Sequence, residues 1–474
     1  MLKPTIQRIA HVNEADAGGG AQLIARTMMH AARSAGRESW LIVNRKLSSD
    51  PHVIEIPPSG FGPRPWRYAC LRASRSIAKL PIRGAARLSH LLELAERPRD
   101  AVDWTLGREP FHRPQSRNLL SLLPAVPDVL HFHNLHYGYF DLRSLPQYSN
   151  DVLSVLTLHD EWLLTGHCAC TMGCERWRTG CGACPDLDRY PHIYRDNTAA
   201  NWRLKSEIYE RSQLAVATPS RWLMERVEAS MLSSALIDQR VIPNGINTEQ
   251  FGVQHREQAR AALNLPAEAT ILLFVASSMR TNVYKDYPTV RQAARLITDT
   301  LAPRPVVLLA LGDSGPDPEA IGVDVRFVEL TDNAEVIRTC YCAADLYLHA
   351  ARSDNFPTTV LEALASGLPV VATAVGGIPE QVRSLSLPGS KAEISVADVS
   401  TATGTLVPPA DPARMAMAAV AVLTDEELRL QLSANAFRDA RLRFDLRIQN
   451  ELYLDWYEEL MADREARRLE NASQ

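Results

Sequence analysis

The sequence predicts an α/β protein made of two doubly wound parallel-sheet domains in series. Three observations carry this expectation: short apolar runs alternate with helical patterns through the first half, a second alternating series begins at Thr270, and a turn signal separates the two. A chain of 474 residues also exceeds one ordinary core, since about 150 residues per domain is usual. Its composition is globular, with 46% hydrophobic and 22% charged residues.

The first series opens with "IQRIAHVN" as a strand. "GGGAQLIARTMMHAARSAG" follows as a glycine turn leading into an amphipathic helix that stops at Gly36, and "SWLIVN" is the second strand. "DVLHFHN", "VLSVLTLHD" and "SQLAVATPS" read as buried strands with polar ends. Open parallel sheets bind ligands beyond the carboxyl ends of their strands, so those polar ends are candidate site positions. The second series runs through "TILLFVASS", "PVVLLALGD", "VRFVEL", "ADLYLHA", "PVVATA" and "GTLVP". Between the series, Pro243 and the Asn244-Gly245 turn interrupt the pattern. The expected domains are therefore 1–245 and 250–430, with a helical tail at 431–474 bracing the cleft between them.

Residues 61–120 hold twelve Lys/Arg against five Asp/Glu, a local charge of +7 in a chain of net charge −4. Within this insertion Trp66, Leu71, Ile77 and Leu80 alternate with Arg67, Arg72, Arg75 and Lys79, and Pro81 breaks the pattern in two. Such a segment is either a solvated helical insertion or a face for anionic lipid. A basic face confined to one segment of an acidic body does not suggest a nucleic-acid partner. Nowhere do about 18 consecutive apolar residues occur, and the N-terminus lacks the apolar core of a signal peptide. The expectation is a cytoplasmic protein, with the basic segment as a candidate attachment to the inner face of the plasma membrane.

"ARSDNFPTTVLEALASGLPVVATAVGGIPE", residues 351–380, is the most informative stretch. A short polar loop enters a helix near Thr358, whose first-turn amides suit a phosphate. Glu362 lies one turn farther on, suited to the hydroxyls of a ribose. For an isolated carboxylate the plainer reading is charge matching at a helix N-terminus.

The stretch resembles the retaining glycosyltransferases of family 4, which have the GT-B fold of two facing Rossmann-like domains. Their Glu-x7-Glu pattern stands here as Asp354-x7-Glu362, followed by "EALASGLPVVAT", Gly376-Gly377 and Pro379-Glu380. Gly18-Gly19-Gly20, "TPSRWL", "VIPNGI" and Gly312-Asp313 match further landmarks in the same order. The resemblance implies that Arg280 and Lys285 hold the donor diphosphate, where fixed cations stabilise the charge of the leaving group. It implies a catalytic set of His133, Arg280, Lys285 and Asp354, with His133 touching the donor sugar. Gly19, Gly20, Asn355, Phe356, Thr358, Thr359 and Glu362 complete the donor side, and His159 and Asp160 lie toward the acceptor.

The activity implied is metal-independent, retaining transfer of a hexose from a nucleotide-diphosphate sugar to a glycan or polyprenyl-linked acceptor, in polysaccharide or exopolysaccharide synthesis, with no catalytic cofactor. Asp354 is one methylene shorter than the family's first acid. That difference keeps open a second function, a catalytically impaired GT-B protein that acts as a binding or regulatory module.

Two further clusters invite a metal. His131 and His133 share one face of a strand by alternation, and His136 follows, although satisfied strand-end polar residues are the plainer reading. "TGHCACTMGCERWRTGCGACP", residues 165–185, contains five of the eight cysteines. In a reducing compartment clustered thiols point to metal or redox chemistry. Cys168, Cys174, Cys181 and Cys184 have the paired spacing of a closed tetrahedral structural zinc site, with Cys170 left over. Paired disulfides, an iron–sulfur cluster and plain buried thiols are the alternatives. Some family 4 enzymes carry a similar cysteine insert.

Overall fold

The computed structural model describes residues 6–472 apart from 58–68, 70–71, 74–75, 78–97, 137, 253–255, 315–321 and 391–396. Most of the basic amphipathic segment, including Trp66, Arg67, Leu71, Arg75, Lys79 and Leu80, lies outside the described residues. The chain forms two compact units. One comprises Met1–Ala217, Glu225–Arg240 and Leu454–Gln474, and the other Thr218–Met224 and Val241–Tyr453.

The first unit holds a seven-stranded sheet made from β1 (Arg8–Ala15), β2 (Glu38–Arg45), β3 (Val53–Glu55), β4 (Val129–Phe132), β5 (Leu153–Thr157), β6 (Leu214–Thr218) and β7 (Leu236–Val241), in the order β3-β2-β1-β4-β5-β6-β7. Pairing from β3 to β6 is parallel. Helix α1 (Gly20–Ser34) covers it because Ile24, Ala25, Met28, Met29 and Ala32 fall on one stripe at helical spacing. Ala25 and Met29 from that stripe pack on Leu41, Val43 and Val53. The helix stops where expected, with Gly36 at φ +79°, a left-handed conformation that glycine adopts without strain.

Helices α2 (Pro98–Thr105), α3 (Leu145–Asp151), α4 (Thr198–Tyr209) and α5 (Arg221–Glu228) follow in chain order. The second unit adds α6 (Arg256–Ala262), β8 (Thr270–Val275), α7 (Tyr287–Leu301), β9 (Val306–Leu311), β10 (Asp324–Val328), α8 (Ala334–Ala343), β11 (Leu346–His349), α9 (Thr358–Ala365), β12 (Val370–Thr373), β13 (Gly404–Val407), α10 (Pro412–Thr424), α11 (Glu426–Arg443) and the start of α12 (Leu446–Ala472). Its six-stranded sheet has the order β10-β9-β8-β11-β12-β13. The inner strands β8 and β9 read as unbroken apolar runs because both faces are covered. Ile271, Leu273, Val307 and Leu309 point into one core cluster, while Leu272, Phe274, Leu308 and Ala310 point into another.

The tail expected as one segment at 431–474 is divided between the units. Helix α11 belongs to the second, where Ala436 and Ala440 join the core and the Asn435 side chain donates to the carbonyl of Ala402 at 2.9 Å. From Leu454 onward α12 belongs to the first, where Trp456 Nε1 donates to Asp238 at 2.6 Å and Arg37 pairs with Glu458 at 3.2 Å. Burial of Tyr453, Trp456, Tyr457 and Leu460 anchors the first half of this helix, while from Glu465 to Glu470 it ends exposed and charged. Among the described residues no helix is long and apolar enough to cross a membrane.

Candidate functional site

Each sheet reverses its winding once, and such a reversal opens a crevice beyond the strand ends. In the second unit it lies between β8 and β11, because β8 leads outward to β9 while β11 leads the other way to β12. The loop after β8 carries Arg280 and Lys285, and the loop after β11 carries Asp354 and Asn355. Fold topology thus brings together residues that are 69 positions apart, and Lys285 Nζ sits 2.5 Å from Asp354 Oδ2. The backbone N–H of Arg352 donates to the carbonyl of Tyr284 at 2.8 Å, tying the two loops together.

Burial pushes the Asp354 carboxyl upward, but the Lys285 ammonium and His349 outweigh it and hold the group well below the usual carboxylate range. His349 Nε2 lies 3.5 Å from Asp354, and its Nδ1 lies 3.0 Å from the hydroxyl of Tyr347. The anion is therefore braced from two sides, by a lysine and by an imidazole whose other nitrogen is itself anchored.

Helix α9 starts at Thr358, as the sequence suggests, directly after Pro357. Glu362 is one turn in, and Tyr341 from α8 donates to its Oε2 at 2.7 Å. Burial raises the Glu362 carboxyl, against the pull of that hydrogen bond. Gly376 adopts φ +55°, and a Cβ there would lie 1.8 Å from the carbonyl oxygen of Asp354, so only glycine lets the two loops close. Gly377 N–H donates to the Asn355 carbonyl at 2.9 Å, and the Asn355 side chain accepts from Ser220 Oγ at 2.8 Å. Both oxygens of Glu380 accept from the first turn of α5, Arg221 N–H at 2.8 Å and Trp222 N–H at 2.9 Å. The glycine pair, the "PE" dipeptide and "TPSRWL" are thus parts of one scaffold beneath Asp354 and Asn355.

Two expected donor-side residues sit differently from the others. Phe356 is a core residue, packed edge-on against Phe444 with ring centroids 5.9 Å apart, because its apolar ring gains more from burial than from facing a polar ligand. Arg280 lies over the ring of Phe327, 4.5 Å from its centroid. Tyr341 and His349 join the site without having been singled out by the sequence. His349 had a signal, a polar residue ending the buried run "DLYLH"; Tyr341 had none, since nothing in the sequence pairs one helix with the next.

In the first unit the reversal lies between β1 and β4, and there the histidines gather. His11 Nδ1 is 3.2 Å from His133 Nε2, and His133 Nδ1 is 3.1 Å from His159 Nε2. The rings of His131 and His133 stack at 4.3 Å. Ligand atoms of His11, His131 and His133 all lie within 4.8 Å of one another. Yet His131 already contacts Tyr457 Oη at 2.6 Å and Thr157 Oγ1 at 2.7 Å, while His133 spends both nitrogens on its neighbours. A hydrogen-bonded imidazole ladder accounts for the cluster without a metal. His136, grouped with this cluster by sequence, turns instead to Asp160 at 2.7 Å. Gly19 and Gly20 lie nearby in sequence at the start of α1, with Gly19 as its cap residue in extended conformation.

Burial lowers the proton affinity of the ladder: His11 falls to about 3, His159 to about 4, and His131 and His133 well below the ordinary value. The folded state therefore keeps these rings neutral where the unfolded chain binds protons, at pH below about 6.5. Their contribution is complete above that pH and is lost as pH falls toward the folded values, at up to about 1.4 kcal/mol per histidine per pH unit. Chemical denaturation between pH 7.5 and 5 is expected to show falling stability, with a shallower slope for His131→Gln. Equal slopes for the two proteins would contradict the ladder.

The chain has clear relatives. Residues 269–425 match the family described as "Glycosyl transferases group 1". A protein of Escherichia coli (strain K12) named for colanic acid biosynthesis, the glycosyl transferase WcaC, is 29% identical over 268 residues. That alignment takes in 52% of this chain and 60% of the relative, so the chain spans less than two thirds of it. Among solved structures, WaaG, described as a glycosyltransferase involved in lipopolysaccharide biosynthesis, aligns over 95% of this chain and 99% of its own with a TM-score of 0.59 and 17% identity. Anabaena Alr3699/HepE in complex with UDP-glucose aligns over 97% and 99%, with a TM-score of 0.55 and 14% identity. These likenesses agree with the GT-B fold class: two parallel-sheet, Rossmann-like units with helices at the C-terminus.

Proposed function

We propose that this chain, whose residues 269–425 are a glycosyl transferases group 1 domain, moves a hexose from a nucleotide-diphosphate sugar to a hydroxyl of a glycan or polyprenyl-linked acceptor in polysaccharide synthesis. The observation that carries the reading is the Lys285–Asp354 pair at the winding reversal of the second sheet, next to the N-terminus of α9 and Glu362. A cation held at such a crevice by a carboxylate has a second use for its charge. When a diphosphate arrives, Lys285 can turn to it, and Asp354, released from that pairing and still beside His349, becomes available to sugar hydroxyls.

In this scheme Arg280, Lys285 and the first-turn amides around Thr358 and Thr359 take the diphosphate, and Glu362 takes the ribose. The first unit serves the acceptor through His159 and Asp160, with His133 toward the donor sugar. The acceptor oxygen bonds to the anomeric carbon on the face from which the diphosphate departs. The bond from that carbon to the phosphate oxygen breaks, its electron pair leaves with the nucleoside diphosphate, and a phosphate oxygen takes the hydroxyl proton. Configuration is retained, and neither a protein nucleophile nor a catalytic metal is needed. The work is proposed to be cytoplasmic, with the basic insertion toward anionic lipid at the inner face of the plasma membrane. Binding to anionic vesicles should weaken with salt and on changing Arg67, Arg72, Arg75 and Lys79 to Glu.

The test is a panel of nucleotide sugars offered with glycan and lipid-linked acceptors, read by mass spectrometry. One donor should give a product heavier by one hexose unit, together with free nucleoside diphosphate. Tight nucleotide binding without transfer or hydrolysis across the panel would instead support the binding-module reading.

A further inference from the structure

The cysteine-rich stretch is separate from the proposed reaction. Its thiols surround a small cavity of about 20 Å³ lined by Cys168, Cys174, Cys181, Cys184 and His167. That is room for about one water-sized body, and Trp177, Pro185, Thr165 and Thr171 share the wall with the four thiols. None of the five cysteines of this stretch is in a disulfide.

The backbone around the cavity is shaped at some cost. Gly180, Cys181, Gly182 and Ala183 have φ of +122°, +56°, +83° and +44°, four left-handed residues in a row, two of them not glycine. Each non-glycine residue there costs about 1 kcal/mol or more, so the surroundings must fix the turn. Part of that fixing is visible. Gly182 N–H donates to Thr198 Oγ1 at 2.9 Å, Cys184 N–H to Asp196 at 2.7 Å, and Cys181 N–H to the Arg176 carbonyl at 2.9 Å. These bonds hold Cys181 and Cys184 on one turn facing the cavity.

The Gly166 N–H donates to Cys181 Sγ at 3.3 Å. Fully buried Lys205 braces the start of the stretch, with Glu109 at 3.4 Å and hydrogen bonds to the carbonyls of Trp162 at 2.8 Å and Thr165 at 3.0 Å. His167 Nδ1 lies 3.0 Å from the Pro191 carbonyl and its Nε2 3.4 Å from Cys184 Sγ, so the ring is oriented against a sulfur in the manner of a neighbour that supports a metal ligand.

We infer that Cys168, Cys174, Cys181 and Cys184 bind one structural Zn²⁺ in this cavity, with His167 supporting Cys184 from outside the ligand set. The four thiols give up their protons, and four Zn–S bonds of about 2.3 Å form with no position left open. No three of these thiols have all their sulfurs within 4.8 Å of one another, so binding turns the side chains inward by rotation. The bound ion then holds a stretch whose hydrophobic anchor is Trp177, almost fully buried at 1% exposure.

Elemental analysis of the full chain, purified with a reductant and without chelator, should return one zinc per chain. Four of the five thiols in this stretch should resist alkylation until a mercurial or strong chelator frees the metal, and should then react as zinc is released. Cys170→Ser and His167→Ala should keep the full zinc content, while Cys168→Ser and Cys181→Ser should lose it. The wild-type measurements stand even if those two variants fail to fold. Zinc-free protein with promptly reactive thiols, disulfides found by mass spectrometry, or iron with labile sulfide would each overturn the inference. Loss of zinc on changing His167 but not Cys168 would overturn the ligand set.

Discussion

Replacing Lys285 by alanine should lower kcat/KM for sugar transfer about 100- to 1,000-fold. Stabilising the charge of a departing oxyanion through one fixed donor is typically worth about 3–4 kcal/mol in the transition state, and Lys285 is the ammonium that the second unit holds at its crevice. The substitution also leaves Asp354 without its cation, and removing one partner of a largely buried pair commonly costs about 3–5 kcal/mol of stability. Two effects would then be mixed. The double variant Lys285→Ala/Asp354→Asn isolates the stability effect, because a neutral amide needs no counter-charge: stability should largely return, while transfer stays low because both residues belong to the proposed site. Recovery of transfer in the double variant would mean that the lysine serves the fold and not the reaction.

The second large effect is expected at Gly376. Alanine there must adopt φ +55° and must also displace the Asp354 carbonyl, which an added Cβ would approach to 1.8 Å. The left-handed conformation alone costs about 1–2 kcal/mol, and the clash cannot be relieved without moving the loop that positions Asp354 and Asn355. Gly36 supplies the comparison: its φ is +79°, yet a Cβ added there would meet nothing within 4 Å. Gly36→Ala should therefore lose about 1 kcal/mol and keep full transfer activity. Gly376→Ala should lose more stability and at least about tenfold in kcat/KM, since small misplacements at a reacting centre are costly. Equal behaviour of the two variants, measured by denaturation and by transfer rate, would remove the structural role assigned to the glycine pair.

Much of this architecture is legible in the sequence, for a physical reason. Strands covered on both faces must be apolar throughout, so "TILLFV" and "VVLLAL" announce a buried parallel sheet without any knowledge of their neighbours. The start of α9 at Thr358 and the stop of α1 before Gly36 are equally local, set by a proline, a polar loop and a glycine. Contacts between distant segments are not local. The division of the C-terminal helices follows from which sheet Tyr457 and Ala436 happen to reach, and periodicity does not encode that. The histidine ladder is half visible: alternation puts His131 and His133 together, but the parallel register that sets His11 opposite His131 is a property of the folded sheet. Phe356 shows the converse limit, since a residue inside a binding motif can serve the core.

The most direct measurement is calorimetric titration of UDP and GDP into the wild-type protein and into Lys285→Ala. The proposed site predicts that one of the two nucleotides binds the wild type at one site per chain, and that Lys285→Ala binds it at least about tenfold more weakly, the loss of a charge-assisted contact to phosphate. Failure of both nucleotides to bind, or an affinity unchanged by the substitution, would contradict a nucleotide-sugar site built on the Lys285–Asp354 pair.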